Sequence, residues 1–180
     1  MCTDRSNMDG IRRVLVRQSA AVPGAWHAVM DAAAAPRLPQ QAKAAGLRAQ
    51  TLYAGALGAA LEDVAPHLVA LRFSDAFAAP LLRGLVGNAC ILLRSSAPFE
   101  ELRTHFRRFL MVKDTAGKKY RFRFYDPRIL RAFLPACTGA EVASFFGPVA
   151  RFYAPARDGK AVLAFANEST RARVTRLSVA

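Results

Sequence analysis

Two local patterns meet in KYRFRFYDPRIL, residues 119–130, and from them we predict the fold around this segment. Aromatic and basic residues alternate, and alternation places successive side chains on opposite faces of a β-strand. The two faces are Tyr120, Phe122 and Phe124 on one side and Lys119, Arg121 and Arg123 on the other. Asp126 then stands where a helix N-cap belongs, and Pro127 stands at the first helical position. The stretch therefore predicts a strand with a buried aromatic face that leads directly into a helix.

Short apolar runs alternate with helical segments from residue 26 onward, as in WHAVMD (26–31) and NACILLR (88–94). A chain of 180 residues is long enough for one compact domain and short for two. The alternation predicts an α/β domain in which helices pack on a central mixed sheet.

The chain divides into three segments by composition and pattern. Residues 1–25 are an N-terminal extension, and residues 26–153 are the α/β domain. Residues 154–180 are a short C-terminal hairpin followed by a basic tail, for which we expect weak order.

The segment APFEELRTHFRRFL, residues 97–110, predicts the clearest amphipathic helix. Ser96 can cap it, and Pro98 lies in its first turn. Its apolar stripe, which we expect to be buried, consists of Phe99, Leu102, Phe106, Phe109 and Leu110. Its basic face consists of Arg103, Arg107 and Arg108. We expect this face to be solvated and to steer an acidic partner.

A second helix with recognisable ends is predicted in TGAEVASFFGP, residues 138–148. Thr138 and Glu141 have the spacing of a capping box. Gly147 followed by Pro148 has the form of a helix stop.

The chain is strongly basic, with 26 Lys and Arg against 13 Asp and Glu, a net charge of +13. Such a charge favours an acidic partner, whether nucleic acid, anionic lipid or an acidic protein. An Ala-rich and Arg-rich composition also arises from coding bias alone, so the charge does not choose among these partners.

Cysteine usage and hydropathy indicate the compartment. Cys2, Cys90 and Cys137 are far apart and have no C-x-x-C spacing, which favours neither a disulfide framework nor a zinc site. The N-terminus lacks the apolar core of a signal peptide, and no apolar run reaches the roughly 18 residues of a membrane span. We therefore expect a soluble, cytoplasmic protein without a membrane partner.

The familiar catalytic and cofactor motifs are absent from the sequence, and we expect neither an enzyme nor a cofactor or metal. The three histidines, His27, His67 and His105, are isolated in the sequence and are expected to be structural or surface residues. A hydrolase that uses Cys137 or Asp31 with a distant histidine is kept as one alternative.

A nucleic-acid-binding module is the other alternative, because basic strands with aromatic residues form RNA-recognition sheets. Those sheets need glycines among the aromatics and rings on the face that the phosphates approach. KKYRFRFY, residues 118–125, has no glycine, and its aromatics and arginines alternate between faces. Nucleic acid is therefore the less favoured partner.

The stretch from SSAPFEELRTHFRRFL to FFGPVARFY, residues 95–153, resembles the bacterial type VI secretion adaptor family, effector chaperones of the Tap/Tec-like kind. The motifs that carry the resemblance are FRFYDPR, LPAC and FFGPV, in this order. WHAVMDAAAAPRL, which starts at residue 26, looks like the opening strand and helix of that family. The resemblance covers about residues 26–153.

This resemblance implies a non-enzymatic adaptor that binds a cognate effector toxin and the C-terminal region of a VgrG-type spike protein, and so loads the toxin for delivery. The positions that match the family motifs are Phe124, Tyr125, Asp126, Pro127, Arg128, Phe146, Gly147 and Pro148. Asp126 with Pro127 and Gly147 with Pro148 also have a purely architectural interpretation, as helix ends. Tyr125 and Arg128 are not needed for a cap, which makes them the better contact candidates. Arg103 and Arg107 complete the predicted protein-binding set.

Overall fold

The structure is a computed structural model that describes residues 2–55, 59–72 and 75–179. Its helices are α1 (Cys2–Ala21), α2 (Arg37–Ala44), α3 (Ala59–Glu62), α4 (Asp75–Val86), α5 (Phe99–Arg107), α6 (Pro127–Ala136) and α7 (Gly139–Phe146). Its strands are β1 (Ala25–Asp31), β2 (Ala49–Thr51), β3 (Pro66–Leu71), β4 (Cys90–Ser95), β5 (Met111–Lys113), β6 (Lys119–Arg121), β7 (Val149–Pro155), β8 (Ala161–Asn167) and β9 (Ala172–Ser178).

Seven strands form one central sheet in the order β2-β3-β1-β4-β7-β8-β9, and β5 pairs with β6 in a separate hairpin. Every pairing in both sheets is antiparallel. The prediction of an α/β domain around a central sheet is confirmed, but the strands are not mixed in direction. Strands β1 and β2 are connected by α2 and run parallel to each other. Strand β3 lies between them and pairs antiparallel with both. A helical connection therefore links parallel strands that are not sheet neighbours.

Helices cover both faces of the sheet, so the core has two parts. One part packs beneath α1, α2 and α4 and includes Ile11, Leu15, Leu38 and Phe77. The other packs beneath α5, α6 and α7 and is rich in aromatic rings, among them Phe106, Phe145 and Phe152. Successive residues of β4 point alternately into the two parts, which is why this central strand is buried along its whole length.

The segments at the two ends of the chain pack with the central part. Helix α1, in the predicted N-terminal extension, buries Ile11 and Leu15, and Trp26 Nε1 donates a hydrogen bond to Ser19 Oγ at 2.7 Å. Strand β9 pairs with β8 over seven residues, from Ala172 to Ser178. The expectation of weak order for the basic tail is therefore wrong, because the backbone of this segment is used in the sheet.

The strand predicted in residues 119–125 is shorter than expected. Strand β6 ends at Arg121, its residues are exposed, and Tyr120 keeps 43% of its surface accessible. The chain then turns into the core, where Phe122 packs on Phe133 and Phe124 stacks on Phe106. The prediction that Tyr120, Phe122 and Phe124 share one buried strand face is wrong for Tyr120, because the ladder stops before the aromatic residues reach the core.

The predicted ends of α6 and α7 are confirmed. The Asp126 side chain accepts a hydrogen bond from the Arg128 backbone N–H, with Pro127 in the first turn. Thr138 and Glu141 form a reciprocal capping box, and α7 ends at Gly147. The N-cap of α5 is Pro98, without a side-chain cap, so Ser96 does not cap this helix.

Candidate functional site

A cluster of charged residues joins the end of β1 to the start of α6. The Asp31 carboxylate, only 1% exposed, pairs with the Arg123 guanidinium and also accepts the Ala33 backbone N–H at 3.1 Å. The hydrogen bond to Asp31 raises the pKa of Arg123 above its ordinary value. Asp31 thus fixes the segment that precedes α6 against the sheet.

Arg128 is the most exposed member of the predicted motif. Its Nε and Nη2 donate to the two oxygens of the Asp126 carboxylate at 3.0 and 2.7 Å, a bidentate pair. Burial alone would raise the pKa of Asp126, but the hydrogen bonds from the Arg128 side chain and backbone outweigh it and lower the pKa. The Arg128 side chain remains 64% accessible and can meet a partner without any rearrangement.

The other residues of this motif are buried. Tyr125 is 3% exposed and Phe124 is completely buried, with their ring centroids 5.5 Å apart. Burial raises the pKa of Tyr125 to about 12, with a further contribution from the nearby Asp31 charge. Asp126 and Pro127 are also buried. The geometry therefore places Tyr125 in the core and leaves Arg128 as the accessible side chain of the DPR motif.

The second predicted motif forms the end of α7. Phe146 is buried, whereas Gly147 is exposed with a positive φ of 47°. A Cβ atom on Gly147 would lie 2.4 Å from Cε1 of His105, so a side chain has no room here. The carbonyl of Pro148 accepts a hydrogen bond from Ser95 Oγ at 2.6 Å. These contacts give Gly147 and Pro148 an architectural role.

The basic face of α5 differs from the prediction. Arg103 Nε donates to the Thr51 carbonyl at 2.9 Å, and Arg107 donates through Nε and Nη2 to the carbonyls of Leu52 and Tyr53 at 3.0 and 2.6 Å. Both side chains are half-buried, so the prediction that they form a solvated face is wrong. Their guanidinium groups donate to carbonyls at the end of β2 and in the two residues that follow it.

His105 is held as a neutral imidazole. Arg108 Nη2, which can only donate, lies 2.8 Å from Nδ1, and Nε2 lies 2.8 Å from the Phe145 carbonyl, which can only accept. The proton is therefore on Nε2. Burial, together with the Arg108 charge, lowers the pKa of His105.

Burial shifts the pKa of the cysteine and histidine side chains that a hydrolase would use. Cys137 Sγ donates to the Phe133 carbonyl at 3.3 Å, and burial raises the pKa of its thiol to about 11. A nucleophilic thiol needs the opposite shift. Burial also lowers the pKa of His27 and of His67. Cys90 and Cys137 are free thiols, and the side chain of Cys2 lies outside the described residues.

Among residues 2–55, 59–72 and 75–179, no group of three or more His, Cys, Asp and Glu side chains could hold a metal ion. Within the same part of the chain, no helix is long and apolar enough to cross a membrane.

The structure has a pocket beside Arg128 that the sequence did not predict. Arg131 and Arg157 line it together with Arg128. The spacing of Arg128 and Arg131, three residues apart on one helix, was a usable signal. Arg157 lies in the turn between β7 and β8, and no local pattern connects it to α6.

Comparison with known protein families gives a match over most of the domain. Residues 26–144 match DUF4123, described as a domain of unknown function, which is associated with type VI secretion adaptor and chaperone proteins. No curated protein and no solved structure matches the chain. The matched range runs from β1 through most of α7 and contains the Asp31–Arg123 pair and the DPR motif. The chain therefore belongs to the DUF4123 family.

Proposed function

We propose that this protein is a type VI secretion adaptor that binds a cognate effector toxin and loads it onto a VgrG-type spike in the cytoplasm. The observation that carries the proposal is the DUF4123 match, which covers residues 26–144 and belongs to a domain associated with such adaptors. The role is non-enzymatic, which the raised pKa of the Cys137 thiol supports.

The hairpin of β5 and β6 supplies a surface for protein contact. Met111, Val112 and Tyr120 are 52%, 39% and 43% exposed, and Val112 lies directly opposite Tyr120 across the two strands. An exposed apolar pair of this kind on a two-stranded sheet gains stability when a partner covers it.

The same hairpin is cationic. Its basic side chains are Lys113, Lys118, Lys119 and Arg121. Its one acidic residue, Asp114, already accepts hydrogen bonds from the backbone of Ala116 and Lys118 and from the Tyr120 hydroxyl. The hairpin therefore suits a protein segment that presents apolar and acidic side chains together.

The test is affinity capture of the tagged full-length chain from lysate that contains the products of the neighbouring genes, with elution at low and moderate salt. We expect a spike protein and a second, non-structural protein to be retained. The variant Tyr120→Ser should reduce capture of at least one of them, whereas Val16→Ser, which changes a 53% exposed residue of α1, should not. Recovery of nucleic acid and ribosomal proteins alone would contradict the adaptor proposal and favour a nucleic-acid-binding role.

A further inference from the structure

A pocket of about 320 Å³ lies between the end of α4, the first turns of α6 and the turn that joins β7 to β8. Its walls are partly apolar, formed by Ile11, Val86, Pro155 and Ala156. Its polar lining consists of Asn88, Arg128, Arg131, Arg157, Asp158 and the backbone of Gly159.

Positive charge in this pocket exceeds negative charge. Arg128 is neutralised by Asp126, and Asp158 is neutralised by Arg176, whose Nη2 lies 2.6 Å from the Asp158 carboxylate. Arg131 donates only to neutral oxygens, the Pro155 carbonyl at 2.6 Å and Asn88 Oδ1 at 3.4 Å. Arg157 has no acceptor within the described part of the chain. Neither Arg131 nor Arg157 therefore forms an ion pair among the described residues, although the nearby Asp126 carboxylate acts to raise the pKa of Arg131.

A guanidinium group keeps its proton in proteins, and so an unpaired arginine is a standing site for an anion. Burial and the nearby Arg157 and Arg128 charges disfavour the charged form of Arg131. In addition, Arg131 Nε is buried without a hydrogen-bond partner among the described residues. An anion in the pocket would relieve the repulsion between the two guanidinium groups.

The lining selects among anions. A free phosphate ion is strongly hydrated, and apolar walls offer little to replace that water. A carboxylate on a short carbon chain can place its methylene groups against Val86 and Ala156 and its oxygens toward the guanidinium groups. The pocket is also open beside the accessible Arg128, on the surface that carries the DPR motif.

We propose that the Arg131–Arg157 pocket is a carboxylate-binding site that receives an acidic side chain or the C-terminal carboxylate of a bound protein segment. This proposal deepens the adaptor function and rests on it for the identity of the ligand as a protein. The two sources of the carboxylate share one chemistry, and the experiment separates them.

The experiment records the Nε–H resonances of the arginines in ¹⁵N-labelled full-length protein at low salt during titration with four probes. Three are N-acetylated pentapeptides. The first has a central glutamate and an amidated C-terminus, the second has a central glutamine and a free C-terminus, and the third, which is neutral, has a central glutamine and an amidated C-terminus. The fourth probe is inorganic phosphate. We expect saturable shifts of the Arg131 and Arg157 resonances with at least one of the two carboxylate peptides, and the responding peptide identifies the source.

The variant Arg157→Gln should weaken this binding about tenfold, the loss expected for one charged hydrogen bond. Arg171→Gln is the matched control, because it removes the same charge from an exposed residue outside the pocket and should leave the titration unchanged. Arg157 makes no described contact that its loss would break, so the variant should fold.

Three results would overturn the proposal: no shift with either carboxylate peptide, equal shifts with the neutral peptide, or tighter binding of phosphate than of both carboxylates. Failure of the pocket is distinguishable from failure of the adaptor function. If the pocket binds no carboxylate peptide but the chain still captures spike and effector, only the proposal of a carboxylate site is disproved. If the chain binds the carboxylate peptide but captures neither protein, the adaptor function is disproved, and so is the assignment of the ligand as a protein segment.

Discussion

Asp31 and Arg123, which are 92 residues apart in the sequence, form an ion pair that ties the end of β1 to the segment leading into α6. The Asp31 carboxylate is buried, whereas the Arg123 side chain is 41% exposed. The pair holds the approach to the DPR motif in place, and Arg128 is thereby presented at the surface.

Loss of Arg123 should destabilise the fold. Arg123→Ala leaves the buried Asp31 carboxylate with the Ala33 backbone N–H as its donor among the described residues. The variant should lower the free energy of unfolding by about 1–3 kcal/mol, less than for a fully buried pair because Arg123 is partly solvated. Urea denaturation of the variant provides the measurement. Arg121→Ala removes an exposed arginine from the preceding strand and should cost clearly less. An equal decrease in the free energy of unfolding for the two variants would show that the ion pair with Asp31 adds no stability.

Gly147 should not tolerate a side chain. Gly147→Ala introduces a Cβ next to the His105 ring at a positive φ, and should lower the free energy of unfolding by about 2 kcal/mol or more. Gly46→Ala is the matched control, since Gly46 also has a positive φ, of 74°, but open space around its Cβ. A similar loss for both variants would mean that φ alone, and not the contact with His105, demands glycine at 147.

Asp126 has a cap function that can be separated from its charge. Asp126→Ala should lower the free energy of unfolding by about 1 kcal/mol or more through loss of the N-cap, whereas Asp126→Asn retains an acceptor for the Arg128 backbone N–H and should cost less. Thermal or urea unfolding gives both values. If Asp126→Asn folds normally and loses partner capture, the carboxylate or its hold on Arg128 is needed for contact. If both variants were as stable as the parent, the N-cap would not contribute to stability.

Stability should decrease as the pH falls from about 7.5 to about 5. The pKa values of His27, His67 and His105 are all lowered by burial from 6.5, so the unfolded chain takes up protons first. The contribution of the three neutral histidines to the free energy of unfolding is fully present above pH 6.5. It is lost as the pH falls toward their folded-state pKa values. Asp126, whose pKa is lowered from 3.8, stays ionised over this range and does not contribute.

The measurement is the free energy of unfolding at the two ends of this range. His67→Gln should reduce the difference between them, since it removes one of the three titrating side chains. A parent protein that is equally stable or more stable at the acidic end would contradict neutral burial of the histidines.

Local features of the fold were predictable and distant ones were not. The Asp126 N-cap and the Thr138–Glu141 capping box follow from neighbouring residues, so the sequence alone was sufficient for them. The antiparallel order of the sheet was not predictable, because the inserted strand β3 comes later in the chain than the two strands it separates.

The same distinction applies to the candidate site. Arg103 and Arg107 have the spacing of an exposed helix face, but their carbonyl partners lie 52 and 55 residues earlier in the sequence. Tyr125 was interpreted as a contact residue because no cap requires it, whereas the structure buries it against Phe124. Arg128, the other predicted contact residue, is exposed and held by Asp126, and its contact with a partner stays a prediction.

The proposed adaptor holds two proteins at the same time, and reconstitution from purified components would test this. The purified chain would be mixed with the C-terminal region of the neighbouring spike protein and with the neighbouring effector, and the mass of the complex would be determined by size-exclusion chromatography with light scattering. We expect a single species that contains all three proteins and does not form when the chain is omitted. Two mutually exclusive binary complexes, or a spike and effector that associate equally well without the chain, would contradict it.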